Sequence, residues 1–461
     1  MKHFRERLVG IVIVALTLMP AFANAAPDSL QWRSLFNGKD LSGWTQVAGE
    51  ARYVVEGADI VGTAVADSPN SFLATDAAYG DFILEYEAKV DSTLNSGVQI
   101  RSALADAVVR GYQVEIDPSE RGFTGGIYEE RGRGWLYPLS RNEKARQAFR
   151  TGLWNRFRVE AIGSSVRVWV NGVQAVDLVD AETASGFIAL QVHSINDDDL
   201  VGATVRWRNV RIATSGLDAN RGAQDPQVPQ VSYLKNQLTD REARHGWRLL
   251  WDGKTSNGWQ GAKLEHFPET GWTMADGVLT IEKTDGGEST GPGDIVTRQG
   301  FSDFELEFEF RITAGANSGV KYFVDPDLNQ GEGSAIGCEF QVLDDERHPD
   351  AKMGVGGNRT VGSLYDLITA ENLQTAGRAK QFKGVGNWNH GRIVSRNGVV
   401  EHWLNHERVV EFDRFSQSFR ALVAYSKYKV WPGFCQWPSG RILLQDHGDT
   451  VSYRSIKIRE L

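Results

Sequence analysis

Two stretches of this chain, "FILEYEAKV" at residues 82 to 90 and "FELEFEFRI" at 304 to 312, set apolar residues on alternate positions. A period of two places those residues on one face of a strand and the Glu and Lys on the other. "YQVEID" from Tyr112, "IALQVH" from Ile188, "CEFQVLD" from Cys338 and "ILLQDH" from Ile442 follow the same rule. "VRVWVNGVQAV" reads as a hairpin turning at Asn171-Gly172. No helix-length periodic segment separates these strands, which argues against a parallel sheet. The economical architecture is all-β: antiparallel sheets packed face to face as a jelly-roll sandwich.

The pattern occurs twice. "LFNGKDLSGW" at 35 to 44 returns as "LWDGKTSNGW" at 250 to 259, and "NSGVQI" returns as "NSGVKY". "GGIYEE" matches "GSLYDL", "WNRFRVEA" matches "WNHGRIVS", and "IALQVHS" matches "ILLQDHG", always in the same order. The repeat is too long for a solenoid or propeller unit, so each copy should hold its own core. We place the first domain at 27–213, a polar, Pro-punctuated linker at 214–236 and the second domain at 237–461. Thr239, Glu242 and Gly246 mark a short capped helix where the second domain begins.

Composition refines this. Lys2, Arg5 and Arg7 precede the short apolar run "IVIVALTLMPAF" and the small residues "ANA". Residues 1 to 25 therefore read as a cleavable leader, implying a periplasmic or secreted protein, and no other segment is apolar enough to span a membrane. Removing the leader takes the net charge from -9 to -11. That surface disfavours nucleic acid and suits a neutral ligand such as a small oligosaccharide or glycoside; protein partners are not legible. The only cysteines, Cys338 and Cys435, exclude a metal-binding Cys cluster; in an oxidising compartment they either pair or remain free.

Alternation then selects the side chains available for chemistry. With Cys338, Phe340 and Val342 in the core, Glu339 and Gln341 share the opposite face. Tyr112, Val114 and Ile116 likewise leave Gln113, Glu115 and Asp117 outward. The late strands put Gln191 with His193, and Gln445 with His447, on that face, and the "NSGV" strands present Lys321 in one copy and Gln99 with Arg101 in the other. Polar residues on an antiparallel strand are by default its solvated side. What favours function is recurrence: a wet face has no need to keep an imidazole in both copies. Gly-rich turns carry Tyr128, Trp135 and Tyr365, which either stack on sugar rings or pack their own loops. Asp344, Asp345, His348 and Asp350 fall in one loop and suggest a divalent metal, although their spacing matches no established calcium or zinc loop.

"LFNGKDLSGW", "NSGV", "GYQVEIDPS", "GGIYEERGRGWLYP", "EFQVLDDERHPDA", "GNRTVGSLYDLI" and the closing "LQDHG" with "YRSIKIREL" together resemble the 3-keto-disaccharide hydrolase domain family, twice over. The resemblance implies a concanavalin-like sandwich and cleavage of glycosides already oxidised to a ketone at C3. Such a ketone acidifies the C2 hydrogen, so the reaction needs a base near C2 and a donor or cation at the C3 oxygen. The candidate base is Glu339 or His447 with Lys321 in the second domain, and Glu115 or His193 with Arg101 in the first. Gln113, Gln191, Gln341, Gln445, Tyr128, Trp135, Tyr365, Asp344 and His348 are candidates for holding the sugar. No cofactor is demanded, though a divalent metal could serve the C3 oxygen. Two rivals remain: a non-catalytic, lectin-like protein, and a laminarinase-type glucanase using Glu115, Asp117 and Glu120, weakened by Pro118 within that run.

Overall fold

The computed structural model describes residues 30–196, 198–284, 287–289, 293–375 and 377–461. The leader expected over residues 1 to 25 lies outside them. The described chain forms two tandem jelly-roll β-sandwiches, each of two packed antiparallel sheets apart from one short parallel pairing. In the first domain the sheet that will carry the site runs Gly134–Tyr137, Ile127–Glu130, Val108–Ile116, Ser96–Ala105, Phe187–Val192, Ser71–Thr75, Trp44–Ala48. Its counterpart in the second runs Ile336–Leu343, Asn317–Asp325, Gly440–Leu444, Ile295–Phe301, Trp259–Gly261. The strands that share sequence motifs occupy the same places in both.

Alternation is what closes each sandwich. Phe82, Leu84 and Tyr86 of one sheet pack in a single cluster with Val98, Ile100, Val114 and Leu190 of the other. Leu306, Phe308 and Phe310 do the same with Val320, Phe340, Ile442 and Leu444. Each such side chain, fully buried, contributes about 1.5–3 kcal/mol. The hairpin turns where expected, with Asn171 and Gly172 at φ 49° and 82°, the left-handed pair that matches strand twist. Thr239 and Glu242 form a reciprocal capping box on the helix Asp240–Arg244.

The second domain closes one link differently. Cys338 and Cys435 are disulfide-bonded across 97 residues, whereas Tyr112, which replaces Cys338 in the first copy, donates its hydroxyl to Asp180 at 2.6 Å. The reading of the Glu positions in "FELEFEFRI" as a wet face does not hold in the second domain. Glu305 and Glu307 are buried among Arg392, Lys457 and Arg459, and Arg141 of the first domain lies 3.7 and 3.8 Å from them. Ser140 of the first domain and Tyr233 of the linker further meet His406 of the second, at 2.6 and 2.7 Å. None of the helices among the described residues is long and apolar enough to cross a membrane.

Candidate functional site

Strand register builds the second-domain site. Lys321 and Glu339 are direct cross-strand partners, and the Lys321 ammonium lies 3.7 Å from the Glu339 carboxylate and 3.9 Å from Glu288. Lys321 also donates to Ser334 at 2.5 Å, and Ser334 donates on to Asp294. Gly319 of "NSGV" leaves the room this requires, because a Cβ there would overlap the Glu339 carboxylate. The face is therefore not open: Glu339 is 4% exposed. Burial pushes its carboxyl up to about 7, against the pull of Lys321 and Lys427. Burial also pushes Glu288 upward, but Lys321, Lys427 and His447 outweigh it and hold Glu288 below the usual range.

Gln445 joins this group by donating to Glu288 at 2.8 Å, with its carbonyl oxygen buried and unpartnered among the described residues. Gln341 turns its oxygen back to its own strand, accepting from the Val342 amide at 3.0 Å. Tyr365 donates to Asp350 at 2.8 Å while Lys427 sits 4.4 Å over its ring. Glu288 and Lys427 were invisible to strand reasoning because neither sits on a strand: Glu288 lies in a turn and Lys427 opens the short 3-10 helix Lys427–Val430.

His447 stands edge-on to His348, 5.8 Å between ring centres, and with Asp449 the two bring donor atoms within 4.8 Å of one another. That is near enough to share a cation. His348 Nδ1, however, accepts from the Asp350 amide at 3.2 Å, which leaves the neutral ring's proton on Nε2. Metal-bound imidazoles make the opposite arrangement, donating from the nitrogen that does not ligate, so the residues present do not fit a metal well. The acidic loop does not form the expected metal site either. Asp344 accepts from the Gly315 amide and Arg347, Asp345 pairs with Lys380, and Asp350 pairs with Arg359. Asp344 therefore shapes its loop and is corrected from sugar-holding candidate to structural residue.

In the first domain Gln113, Glu115, Tyr128, Trp135, Gln191 and His193 line one cavity of about 320 Å³, together with Asn70, Asn95, Arg121 and Glu130. Glu115 accepts from Asn95 at 2.5 Å and from Gln113 at 3.1 Å, with Arg121 4.0 Å away. Burial pushes Glu115 up to about 7, with Asn95 and Arg121 opposing. His193 Nδ1 donates to the Ser194 carbonyl at 2.7 Å, leaving Nε2 as the lone-pair nitrogen. Trp135 and Tyr128 meet edge to face at 5.4 Å, so the aromatic turn both packs its loop and faces the cavity.

Arg101 is a correction. A bulge after Ile100 breaks the alternation, Arg101 takes φ 46°, and its buried guanidinium is held by the Gly80 and Gly163 carbonyls and Asp81, away from the cavity. Its counterpart by position is Phe323, also at positive φ on a bulge; the true counterpart of Lys321 is Gln99. The cation beside Glu115 is Arg121, which follows the strand and carries no periodic signal. The glucanase triplet is not assembled: the strand stops at Ile116, Asp117 is held by Arg121 at 2.7 Å, and Glu120 is exposed.

Comparison with known proteins agrees with the duplicated architecture. The family model described as a 3-keto-alpha-glucoside-1,2-lyase-like domain matches residues 31–213 and again 246–459. A 3-keto-disaccharide hydrolase of Bacteroides thetaiotaomicron is 34% identical over 236 residues, covering 47% of this chain and 79% of that protein. Two crystal structures from Parabacteroides distasonis, both carrying provisional glycosyl hydrolase assignments, are 28% and 25% identical. They cover 49% and 47% of this chain and 99% of theirs, with TM-scores of 0.43 and 0.36. With its two matched regions spanning most of its length, the chain belongs to the 3-keto-alpha-glucoside-1,2-lyase-like domain family, and carries that domain twice.

Proposed function

We propose that this protein is carbohydrate-active and that its second domain cleaves glycosides bearing a ketone at C3. The name of the Bacteroides thetaiotaomicron relative supports the substrate class. The observation that carries the reading is the buried Lys321–Glu339 pair, 3.7 Å apart on one polar face. A carboxyl near 7 is suited to take a proton from carbon at neutral pH, and an ammonium beside it can stabilise a developing oxyanion.

The steps balance without an added oxidant. Glu339 removes the C2 proton, the C–H electrons form the C2–C3 double bond of an enediolate, and Lys321 holds the C3 oxygen. The electrons then return: C3=O re-forms, C1=C2 forms, and the C1–O bond breaks, the departing oxygen taking a proton. Water adds across C1=C2, hydroxyl at C1 and hydrogen at C2, so the sum is hydrolysis. Gln445 and Tyr365 would hold hydroxyls, and His447, beyond the end of the strand Gly440–Leu444, is a candidate for protonating the leaving oxygen.

The test compares a 3-keto-disaccharide with its unoxidised parent. Monosaccharide should appear from the ketone alone, and Glu339→Gln should lower kcat by about 10²–10⁴-fold, the usual contribution of a positioned base. Cleavage of the parent, or an unchanged rate in Glu339→Gln, would remove this reading.

A further inference from the structure

The first-domain cavity differs from the second-domain site at the two positions that matter most for the chemistry above. Where Lys321 and Glu339 face each other, the first domain has Gln99 and Gln113 in the same cross-strand register. The Gln99 amide donates to Gln113 at 2.8 Å. An ammonium–carboxylate pair has become an amide–amide pair of nearly the same shape. The space is conserved as well, because a Cβ on Gly97 would overlap Gln113 just as one on Gly319 would overlap Glu339.

The remaining carboxylate, Glu115, sits one side-chain place along the strand, caged by the Asn95 and Gln113 amides. Arg121, the nearest cation, is committed to Asp117 at 2.7 Å and lies over Trp135 at 5.0 Å. Among the described residues lining the cavity there is no lysine in the place of Lys321, and the second guanidinium, Arg131, lies 3.7 Å from Glu130.

The cavity is nevertheless built to hold something. Gln191 is fully buried and lines it, yet neither its amide nitrogen nor its carbonyl oxygen has a partner among the described residues. A buried polar group left unpaired is costly, because it gives up its water without gaining a partner. An amide offers one donor group and one acceptor side by side, the complement of neighbouring hydroxyls. The charged groups around it pair with each other or with amides, so the site selects neither an anion nor a cation. Trp135 and Tyr128 supply the apolar wall that sugar C–H groups prefer.

We propose that the first domain is a recognition site for a neutral, unoxidised saccharide, gripped by Gln191, Gln113 and Glu115, and that it holds this sugar without cleaving it. The inference rests on the catalytic reading only in assigning cleavage to the other domain. The ligand is a pyranoside with its C3 hydroxyl intact, the precursor that a C3-oxidising reaction would convert into substrate for the second domain.

The full chain is titrated calorimetrically with a panel of unoxidised gluco-, galacto- and manno-disaccharides, alongside Gln191→Leu and the equivalent Gln445→Leu. Wild type should bind at least one member of the panel. Gln191→Leu should weaken that binding about tenfold or more, equivalent to about 1.4 kcal/mol or above, whereas Gln445→Leu should keep it. Because Gln191→Leu removes an unpaired buried amide, its unliganded Tm should be equal to or above wild type, which separates lost binding from lost folding. Absence of binding by wild type overturns the proposal, as does unaltered binding in Gln191→Leu, or loss in Gln445→Leu instead. Turnover of the ketone by Glu339→Gln is read separately. If it persists, the catalytic assignment and the non-cleaving role of the first domain fall together, while a Gln191-dependent sugar site would stand.

Discussion

The two domains share strands, register and glycines, and differ in whether one cross-strand pair is charged. In the second domain that pair is Lys321 and Glu339; in the first it is Gln99 and Gln113. Each domain still keeps a buried Glu raised to about 7, so a perturbed carboxyl alone does not distinguish a reacting site from a holding site. The neighbour does. On the proposed assignment the ammonium beside Glu339 would face the substrate's oxygen, whereas beside Glu115 two amides are bonded to the carboxylate itself. This duplicated chain therefore contains its own control.

The comparison can be broken at Lys321. Lys321→Gln recreates half of the first-domain pair in the second domain and should lower kcat by about 10²–10³-fold, the cost of losing a preorganised oxyanion donor. The double variant Lys321→Gln with Glu339→Gln completes the copy. It should fold, since the first domain already packs this pair, and should show no turnover beyond that of Glu339→Gln. A double variant that unfolds at room temperature would show that the two faces are not interchangeable. A Lys321→Gln chain with wild-type kcat would leave the ammonium without a role.

A smaller effect is expected at the glycine beneath. Gly319 has ordinary backbone geometry, but a methyl group there would collide with the Glu339 carboxylate rather than with backbone. Gly319→Ala should therefore move the base with little loss of stability. A displacement near 1 Å can cost up to about 10²-fold in rate, read as lower kcat with Tm nearly unchanged. Gly97→Ala would push Gln113 in the same manner and should act on sugar binding instead. If Gly319→Ala and Gly97→Ala both merely lower Tm, the glycines serve packing alone.

The sequence supports this comparison unevenly, for physical reasons. Two-residue periodicity located the strands, the shared core and the face carrying Glu339, Gln341, Gln445, Glu115 and Gln191, because side-chain direction on a regular strand is fixed by the pleat. It failed at Arg101, where a bulge adds one residue and turns the following side chain around. It could not place Glu288, Lys427, Asn95 or Arg121, which approach from loops and turns and, for Lys427, from a short 3-10 helix. It also read the polar face as open, whereas folded segments bury it; burial is what raises both Glu residues, and no local pattern reports a roof built from distant sequence. Cys338 and Cys435 illustrate the same limit, since pairing across 97 residues depends on tertiary distance.

The finest test of the comparison is the pH profile, where the sign of each neighbour can be worked out. As the proposed base Glu339 would act only when ionised, and burial raises its carboxyl to about 7. The rate constant kcat/KM should therefore fall about tenfold for each pH unit below that value. Lys321 and Lys427 lower this carboxyl, and Glu288 raises it. Lys427→Gln should thus carry the acid limb to higher pH, and Glu288→Gln should carry it to lower pH. These are opposite shifts from two substitutions that each remove one charge near the same atom. If the limb belonged instead to an imidazole such as His447, the signs would stay the same, so the decisive variant is His447→Gln. It should leave the acid limb governed by Glu339 even while lowering the maximum rate. A limb that disappears in His447→Gln would transfer the base from the carboxylate to the imidazole.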